Sequence, residues 1–148
     1  MIGKLILTHG GLAGELLAAA RRIAGELPEF EAVALDWDDG IEEARAHIAD
    51  ALARLDQGDG VLVLTDMFGD TPSNAALSFQ RDGRVEVLTG VNLPMVVRLG
   101  CMTTGEMSVG ELAGWIQSKG RQAICRGGDS ECASAPAAVA AEVRRPPE

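Results

Sequence analysis

Lys4-Leu-Ile-Leu-Thr8 and Val61-Leu-Val-Leu-Thr65 decide the predicted fold, because each is a short, nearly continuous apolar run. Such runs are typical of strands that are buried on both faces of a parallel sheet. Helical patterns of about ten to fifteen residues separate the apolar runs along the chain. This alternation predicts an α/β protein with a doubly wound, mostly parallel sheet that carries helices on both faces.

The remaining elements follow from the same patterns. We predict further strands at 30–35 and 85–88, with a last short strand at 122–125. Apolar stripes predict helices over 12–27, 41–55, 72–79, 94–99 and 109–120. Two pairs, Asp39 with Glu42 and Ser108 with Glu111, have the spacing of capping boxes. From residue 126 the composition turns to Gly, Ser, Ala and Pro, so we predict one domain at 1–125 and a disordered tail at 126–148.

Composition excludes several classes of protein. The 148 residues carry 22 acidic and 13 basic side chains, a formal charge of -9 that disfavours nucleic-acid binding. No apolar run has the roughly 18 residues of a spanning helix, and the start resembles no signal peptide, so we expect a cytoplasmic protein. The three cysteines include no C-x-x-C pair and the two histidines, His9 and His47, lie far apart. We therefore expect no metal site and no cofactor.

The predicted site lies where the strands end, because ligands of open parallel sheets bind at the carboxyl ends of the strands. His9 follows the first strand and Asp66 follows the third, so the two side chains face each other if these strands are neighbours. A carboxylate that accepts a hydrogen bond from one imidazole nitrogen leaves the lone pair of the other nitrogen free as a nucleophile. It also stabilises positive charge on the ring when that nitrogen gains a phosphoryl group.

Residues next to this pair are suited to holding an anion. Thr71 can cap the short helix that follows, and the N–H groups of Ser73 and Asn74 would point at a bound phosphoryl group. Gly10 lets a second backbone segment approach closely. Each motif alone also fits an ordinary turn, cap or core residue, and the combination at several strand ends indicates the site. His47 is interpreted as an exposed residue on a helix flank.

The chain resembles the mannose-family enzyme IIA domain of the bacterial phosphoenolpyruvate-dependent sugar phosphotransferase system (PTS EIIA type 4). The resemblance covers roughly residues 1–125 and rests on THG at 8–10, LVLTDMFGDTPSNAA at 62–76 and TGVNLPM at 89–95. It implies that His9 is the phosphorylated residue and that Asp66 hydrogen-bonds its imidazole. It also implies a sheet of order 2-1-3-4 and a homodimer that exchanges a C-terminal strand, for which 122–125 is the candidate.

The resemblance also implies partners. The donor would be the histidine phosphocarrier protein and the acceptor a IIB component, with the membrane involved only through a permease. We predict that the partners dock on Phe68, Asn92, Pro94 and Met95. The sequence departs from the family pattern at Asp70, where glycine is usual, and we expect this side chain to point to solvent.

Four other functions compete with a sugar-transport role. A response-regulator receiver also has an aspartate after its third strand, but it requires further carboxylates for Mg²⁺ where this chain has Thr8 and His9. Nucleotide-binding glycine motifs do not fit 9–14. A regulatory phosphorelay without transport, or a IIA-like subunit that feeds dihydroxyacetone kinase, would use the same site and stays open.

Overall fold

The computed structural model of the chain describes residues 1–102 and 105–129, which form four strands and five helices. The strands are β1 (Gly3–His9), β2 (Phe30–Leu35), β3 (Val61–Thr65) and β4 (Val85–Thr89). The helices are α1 (Leu12–Ala24), α2 (Ile41–Leu55), α3 (Thr71–Leu77), α4 (Leu93–Cys101) and α5 (Val109–Gln122).

All four strands are parallel and their order is β2-β1-β3-β4, which confirms the predicted sheet. The central strands β1 and β3 are buried almost throughout because both of their faces are covered. In the register of the sheet, His9 pairs with Leu35 and Leu7 pairs with Thr65. The residues that follow β1, β2 and β3 therefore meet at one edge.

Two apolar layers sandwich the sheet. Helices α1, α4 and α5 cover one face, where Ile6, Leu62 and Ile116 belong to one continuous core. Helices α2 and α3 cover the other face, where Leu7 and Val63 pack with Ile48. Alternate residues of β1 and β3 supply the two cores, as the period of a strand requires.

Three local predictions meet different outcomes. The capping box of α5 is confirmed, with the Glu111 N–H donating to Ser108 Oγ and the Ser108 N–H donating to Glu111 Oε2. The predicted capping box before α2 is wrong, because Gly40 is the N-cap and Asp39 Oδ2 instead accepts from the Asp36 N–H at 3.1 Å. The first helix ends at Ala24 rather than at 27, since Gly25 follows it with a φ of 88°.

The end of α5 also differs from the prediction. Gly120 does not stop this helix, which continues to Gln122, and the predicted strand at 122–125 is not formed. Gly120 instead makes room for α4, because a Cβ at this position would lie 2.6 Å from Met95 Sδ. Most of the predicted tail, residues 130–148, lies outside the described residues. In the described ranges, no helix is long and apolar enough to cross a membrane.

Candidate functional site

His9 ends β1 and is fixed by Asp66, the first residue after β3. Asp66 Oδ2 lies 2.8 Å from His9 Nδ1 and also accepts from the His9 backbone N–H at 3.2 Å. The two side chains are only 15% and 14% exposed. With its proton on Nδ1 the ring donates to this carboxylate and has its lone pair on Nε2, which is the tautomer that a nucleophilic Nε2 requires. The predicted pair of nucleophile and orienting carboxylate is therefore brought together.

Hydrogen bonds keep Asp66 ionised although it is partly buried. Burial alone would raise the pKa of Asp66, but the bonds from the His9 ring and the His9 backbone N–H outweigh that effect. The Met67 N–H adds a further bond, to Oδ1 at 2.9 Å. The net result is a pKa below the usual value of an aspartate. Asp66 is thus a fixed negative charge beside the imidazole at neutral pH.

Asp70 lies at the other nitrogen of the ring, where the sequence had suggested open solvent. Its Oδ2 is 3.0 Å from His9 Nε2, while its Oδ1 accepts from the Thr71 N–H at 2.9 Å. The expectation that Asp70 points to solvent is therefore wrong, although half of the side chain remains exposed. The reason is local: as the N-cap of α3, Asp70 is directed back across the helix start towards the end of β1.

The start of α3 differs from the predicted anion pocket in three respects. Thr71 is the first helical residue and not the cap, because Asp70 has that position. The Asn74 N–H already donates to the Asp70 carbonyl at 2.9 Å. Ser73 is fully buried, and its hydroxyl accepts from the Gly69 N–H and donates to the Asp70 carbonyl. These groups order the turn at 69–74, and their role as phosphate ligands stays a prediction.

Trp37 is a site residue that the sequence analysis missed. Its ring stacks on His9 with 5.0 Å between the ring centroids and 22° between the planes, and its side chain is 78% exposed. Gly10 lies next to the indole with a φ of 54°, a backbone conformation that favours glycine, and a Cβ there would make only an ordinary contact with Trp37 Nε1, at 3.5 Å. The signal was topological: Trp37 follows β2 by two residues, and Leu35 of β2 pairs with His9.

The predicted docking residues fall into two groups. Phe68 is 75% exposed and Pro94 is exposed, and both are available to a partner. Met95 is buried beneath Gly120, so its assignment to a docking surface is wrong. Asn92 caps α4, accepting from the Met95 N–H and donating to the Gly120 carbonyl, so its side chain mainly orders the fold. Trp37 stacks on the imidazole, and Met67 and Phe68 follow Asp66 in sequence; all three are exposed, and we call them the exposed apolar rim.

Other predicted features can be placed as well. His47 is exposed on α2, as predicted, and contributes nothing to this site. In the part of the chain that the structure describes, no group of three or more His, Cys, Asp or Glu side chains could hold a metal ion.

The arrangement defines a class: a doubly wound α/β protein with an oriented imidazole at the carboxyl edge of its sheet. The family model described as "PTS system fructose IIA component" matches residues 3–117. The chain belongs to this family, whose members include mannose- and fructose-type EIIA components of the phosphotransferase system.

Relatives and solved structures agree with this membership. The chain is 35% identical over 100 residues to the PTS system fructose-specific EIIA component of Bacillus subtilis, covering 67% of this chain and 68% of that protein. It is 32% identical over 124 residues to the PTS system mannose-specific EIIAB component of Escherichia coli, covering 83% of this chain but only 38% of that protein. A mannose/sorbose-specific IIA subunit from Enterococcus faecalis superposes with a TM-score of 0.74 at 31% identity, covering 85% of this chain and 95% of that one.

Proposed function

We propose that this protein is a phosphohistidine carrier of the sugar phosphotransferase system. In this proposal His9 accepts a phosphoryl group from the histidine phosphocarrier protein and passes it to a IIB component during sugar uptake. One observation carries the proposal: Nδ1 of His9 is held by Asp66 at 2.8 Å, so that Nε2 is the nucleophilic nitrogen. Membership of the EIIA family supports the same role.

The transfer needs few groups because the donor is itself a phosphohistidine. The Nε2 lone pair of His9 attacks the phosphorus in line and forms the new N–P bond. The donor's N–P bond breaks, and its electron pair stays on the donor ring, which leaves as neutral imidazole when its other nitrogen is protonated. His9 keeps its Nδ1 proton and becomes positively charged. Asp66, already ionised, stabilises that charge, so a nucleotide or a metal ion is not required.

The phosphoryl oxygens would lie near the turn between β3 and α3. We propose that Gly10, Thr71, Ser73 and Asn74 surround them. The N–H groups of Gly10, Thr71 and Asn74 and the Ser73 hydroxyl already have partners within the protein, so each of them would have to exchange its present bond to contact a phosphoryl oxygen. Metal-free transfer between histidines depends mainly on positioning and charge stabilisation, and the ordered turn can provide both.

Docking would use the exposed apolar rim near the imidazole. Trp37, Met67 and Phe68 are 78%, 58% and 75% exposed, which makes them suitable anchors for a partner that approaches Nε2. The matched Escherichia coli protein is named an EIIAB component, which supports a IIB acceptor for this chain. We propose that residues 1–125 act as the EIIA domain in the cytoplasm and meet the membrane only through a permease complex.

A homodimer is the proposed assembly. Strand β4 is an edge strand that is only partly buried along its whole length. On its outer side Val85 pairs with Arg81, and the Val87 N–H donates to Gln80 Oε1, so a strand from a second copy would replace these contacts or pair beyond them. Ile124, 80% exposed just beyond α5, belongs to the segment 122–125 that would cross to a second copy. Sedimentation equilibrium of the full chain should give the mass of two chains, whereas a monomer at micromolar concentration would contradict the assembly.

Labelling from phosphoenolpyruvate tests the carrier role directly. Enzyme I and the phosphocarrier protein are mixed with this protein and ³²P-labelled phosphoenolpyruvate, and the acid-labile label on the chain is measured. We expect stoichiometric label on the unchanged protein and none on His9→Ala. His47→Ala is the matched control, because it removes the other histidine from an exposed position outside the site and should be labelled normally.

The same samples separate acceptance from onward transfer. Addition of a IIB component should discharge the label from the unchanged protein and from His47→Ala. Full labelling of His9→Ala would refute the assignment of the acceptor, and label that no IIB component discharges would refute the role in sugar uptake.

A further inference from the structure

We propose that the Asp70 carboxylate is a built-in competitor of the phosphoryl group at His9 Nε2, which lowers the stability of the phosphorylated protein. This inference rests on the proposed carrier function and deepens it. It assigns to Asp70 a positioning role that sets how readily the phosphoryl group leaves. As a consequence, the protein transfers its phosphoryl group to an acceptor more readily than it retains it.

The position of Asp70 is the first step of the argument. Its Oδ2 lies 3.0 Å from Nε2, the atom that must bond phosphorus. The carboxylate is held in this position, because its other oxygen accepts from the Thr71 N–H at 2.9 Å and caps α3. The same side chain thus touches the reactive nitrogen and the start of a helix.

The second step is steric and electrostatic exclusion. A phosphorus atom bonded to Nε2, with its three oxygens, must occupy the space in which Oδ2 now lies. The carboxylate can rotate away, which breaks its bond to the Thr71 N–H, or it can stay as an anion in contact with a second anion. Both alternatives raise the free energy of the phosphorylated state relative to the free one.

The third step concerns the free state. In the free protein Asp66 lies 2.8 Å from Nδ1 and Asp70 lies 3.0 Å from Nε2, so a carboxylate contacts each nitrogen of the ring. Phosphorylation of Nε2 gives up the second contact. Asp70 therefore stabilises the free protein relative to the phosphorylated one.

Among residues 1–102 and 105–129, three side chains face the ring. They are Asp66 from the end of β3, Asp70 from the start of α3, and the uncharged indole of Trp37 from the loop after β2. Asp38 is exposed in that same loop and, among the described residues, makes no ion pair with His9. Removal of Asp70 should thus change the environment of Nε2, whereas removal of Asp38 should not.

The test measures the equilibrium constant for phosphoryl exchange between the phosphocarrier protein and this protein, on full-length chains. Asp70→Ser keeps an N-cap side chain but loses the charge and the reach to Nε2, and Asp70→Asn keeps the shape without the charge. Asp38→Ser is the matched control for loss of one negative charge beside Trp37. Because the constant compares only end states, changes in docking rate alone cannot move it.

We expect Asp70→Ser to shift the constant about three- to tenfold towards the phosphorylated protein, a range that allows for solvent screening of a half-exposed carboxylate. Asp70→Asn should shift it in the same direction, and Asp38→Ser should leave it unchanged.

The outcomes distinguish this inference from the function on which it rests. Label on the unchanged protein with an unaltered or lower constant in both Asp70 variants overturns the inference alone. An equal rise of the equilibrium constant in Asp38→Ser also overturns the inference. The effect would then come from the summed negative charge of this surface and not from the contact with Nε2. Absence of label on the unchanged protein overturns the carrier function and the inference with it. Circular dichroism and thermal unfolding confirm that each variant is folded.

Discussion

Strand β1 carries a basic side chain near each end, and the two side chains have different surroundings. Near the amino end, Lys4 is almost completely buried, with Glu29 3.9 Å from its Nζ and the Phe30 ring 5.6 Å away. At the carboxyl end, His9 keeps some exposure and contacts Asp66 and Asp70 at about 3 Å. Apolar groups thus surround the Lys4 ammonium at the amino end, and carboxylates contact the His9 imidazole at the carboxyl end.

The comparison of Lys4 with His9 shows that different forces hold the basic side chains at the two ends of β1. Burial lowers the pKa of Lys4, and Glu29 offsets this effect only in part. At the other end, hydrogen bonds to Asp66 overcome burial and keep the carboxylate ionised. The amino end is therefore held by packing, whereas the carboxyl end is held by directed polar contacts that also face solvent. Loss of a side chain should affect stability at the first end and reactivity at the second.

Asp66→Asn, at the carboxyl end of β1, should give the largest effect among the variants, a fall in the rate of phosphoryl acceptance. The amide no longer supplies the negative charge that stabilises the phosphorylated ring, so we expect acceptance of the phosphoryl group to slow ten- to hundredfold, about 1.4 to 2.7 kcal/mol of the barrier. Rapid-quench labelling from the phosphocarrier protein measures this rate. Asp38→Asn serves as the control, and an equal loss in both variants would remove the distinction between a contact and a nearby charge.

The same variant makes a prediction about acid stability. The pKa of Asp66 is lower in the folded protein than in the unfolded chain, so its contribution to stability is complete above about pH 4. That contribution is lost as the pH falls through the lowered folded value. Urea unfolding at several pH values should show the difference between the unchanged protein and Asp66→Asn shrinking on acidification.

Gly3→Ala should give the next effect, at the packed end. A Cβ on Gly3 would lie 2.8 Å from the Leu55 carbonyl oxygen, which is a backbone atom that cannot move freely. We expect a loss of about 1 to 3 kcal/mol in the free energy of unfolding, with normal acceptance by the folded fraction. Gly14→Ala in α1 is the matched control, since nothing lies within 4 Å of its Cβ and it should be neutral or slightly stabilising.

Lys4→Met should change the free energy of unfolding least among these variants. Its result tests the difference between the two ends of β1 most directly. The methionine keeps the long apolar stem and removes the buried charge, so we expect stability at pH 7 to be unchanged or higher by about 1 kcal/mol. Lys119→Met, on α5, is the control. A loss of several kcal/mol in Lys4→Met alone would mean that the pair with Glu29 holds this end together, as the polar contacts do at the other.

The pH dependence of Lys4 has the opposite sign to that of Asp66. The folded pKa of Lys4 lies below its unfolded value, so between the two values the unfolded chain binds more protons than the folded protein. Stability should therefore rise with pH across this window towards about 10.5, and Lys4→Met should lack this component of the rise. Denaturant unfolding between pH 8 and about 10.5 measures it.

Much of the fold could be predicted because its signals are local, whereas the central pair required two further steps. The apolar runs predict β1 and β3, and ligand sites of parallel sheets lie at the carboxyl ends of the strands. The family resemblance implied that the two strands are neighbours, which brings His9 and Asp66 to the same edge. The capping box of α5 is likewise local, since Ser108 and Glu111 satisfy each other without help from elsewhere. Where a pattern is satisfied within its own segment, the sequence is sufficient.

Contacts between segments could not be predicted in the same way. The sequence analysis gave the cap of α3 to Thr71, and only the packing of α3 against β1 brings the Asp70 carboxylate to His9. Trp37 carries no motif and reaches the ring through the register of β2 on β1. The failed capping box before α2 shows the reverse case, in which Asp39 bonds to the Asp36 N–H and leaves the helix start to Gly40.

The bond between the His9 backbone N–H and Asp66 has one more consequence. This N–H belongs to the main chain of β1, yet its acceptor is a side chain that also holds the imidazole. A slip of one residue between β1 and β3 would break both bonds at once, so misaligned strands would leave the ring without its orientation. The alignment of β1 on β3 and the orientation of the imidazole thus depend on the same carboxylate oxygen.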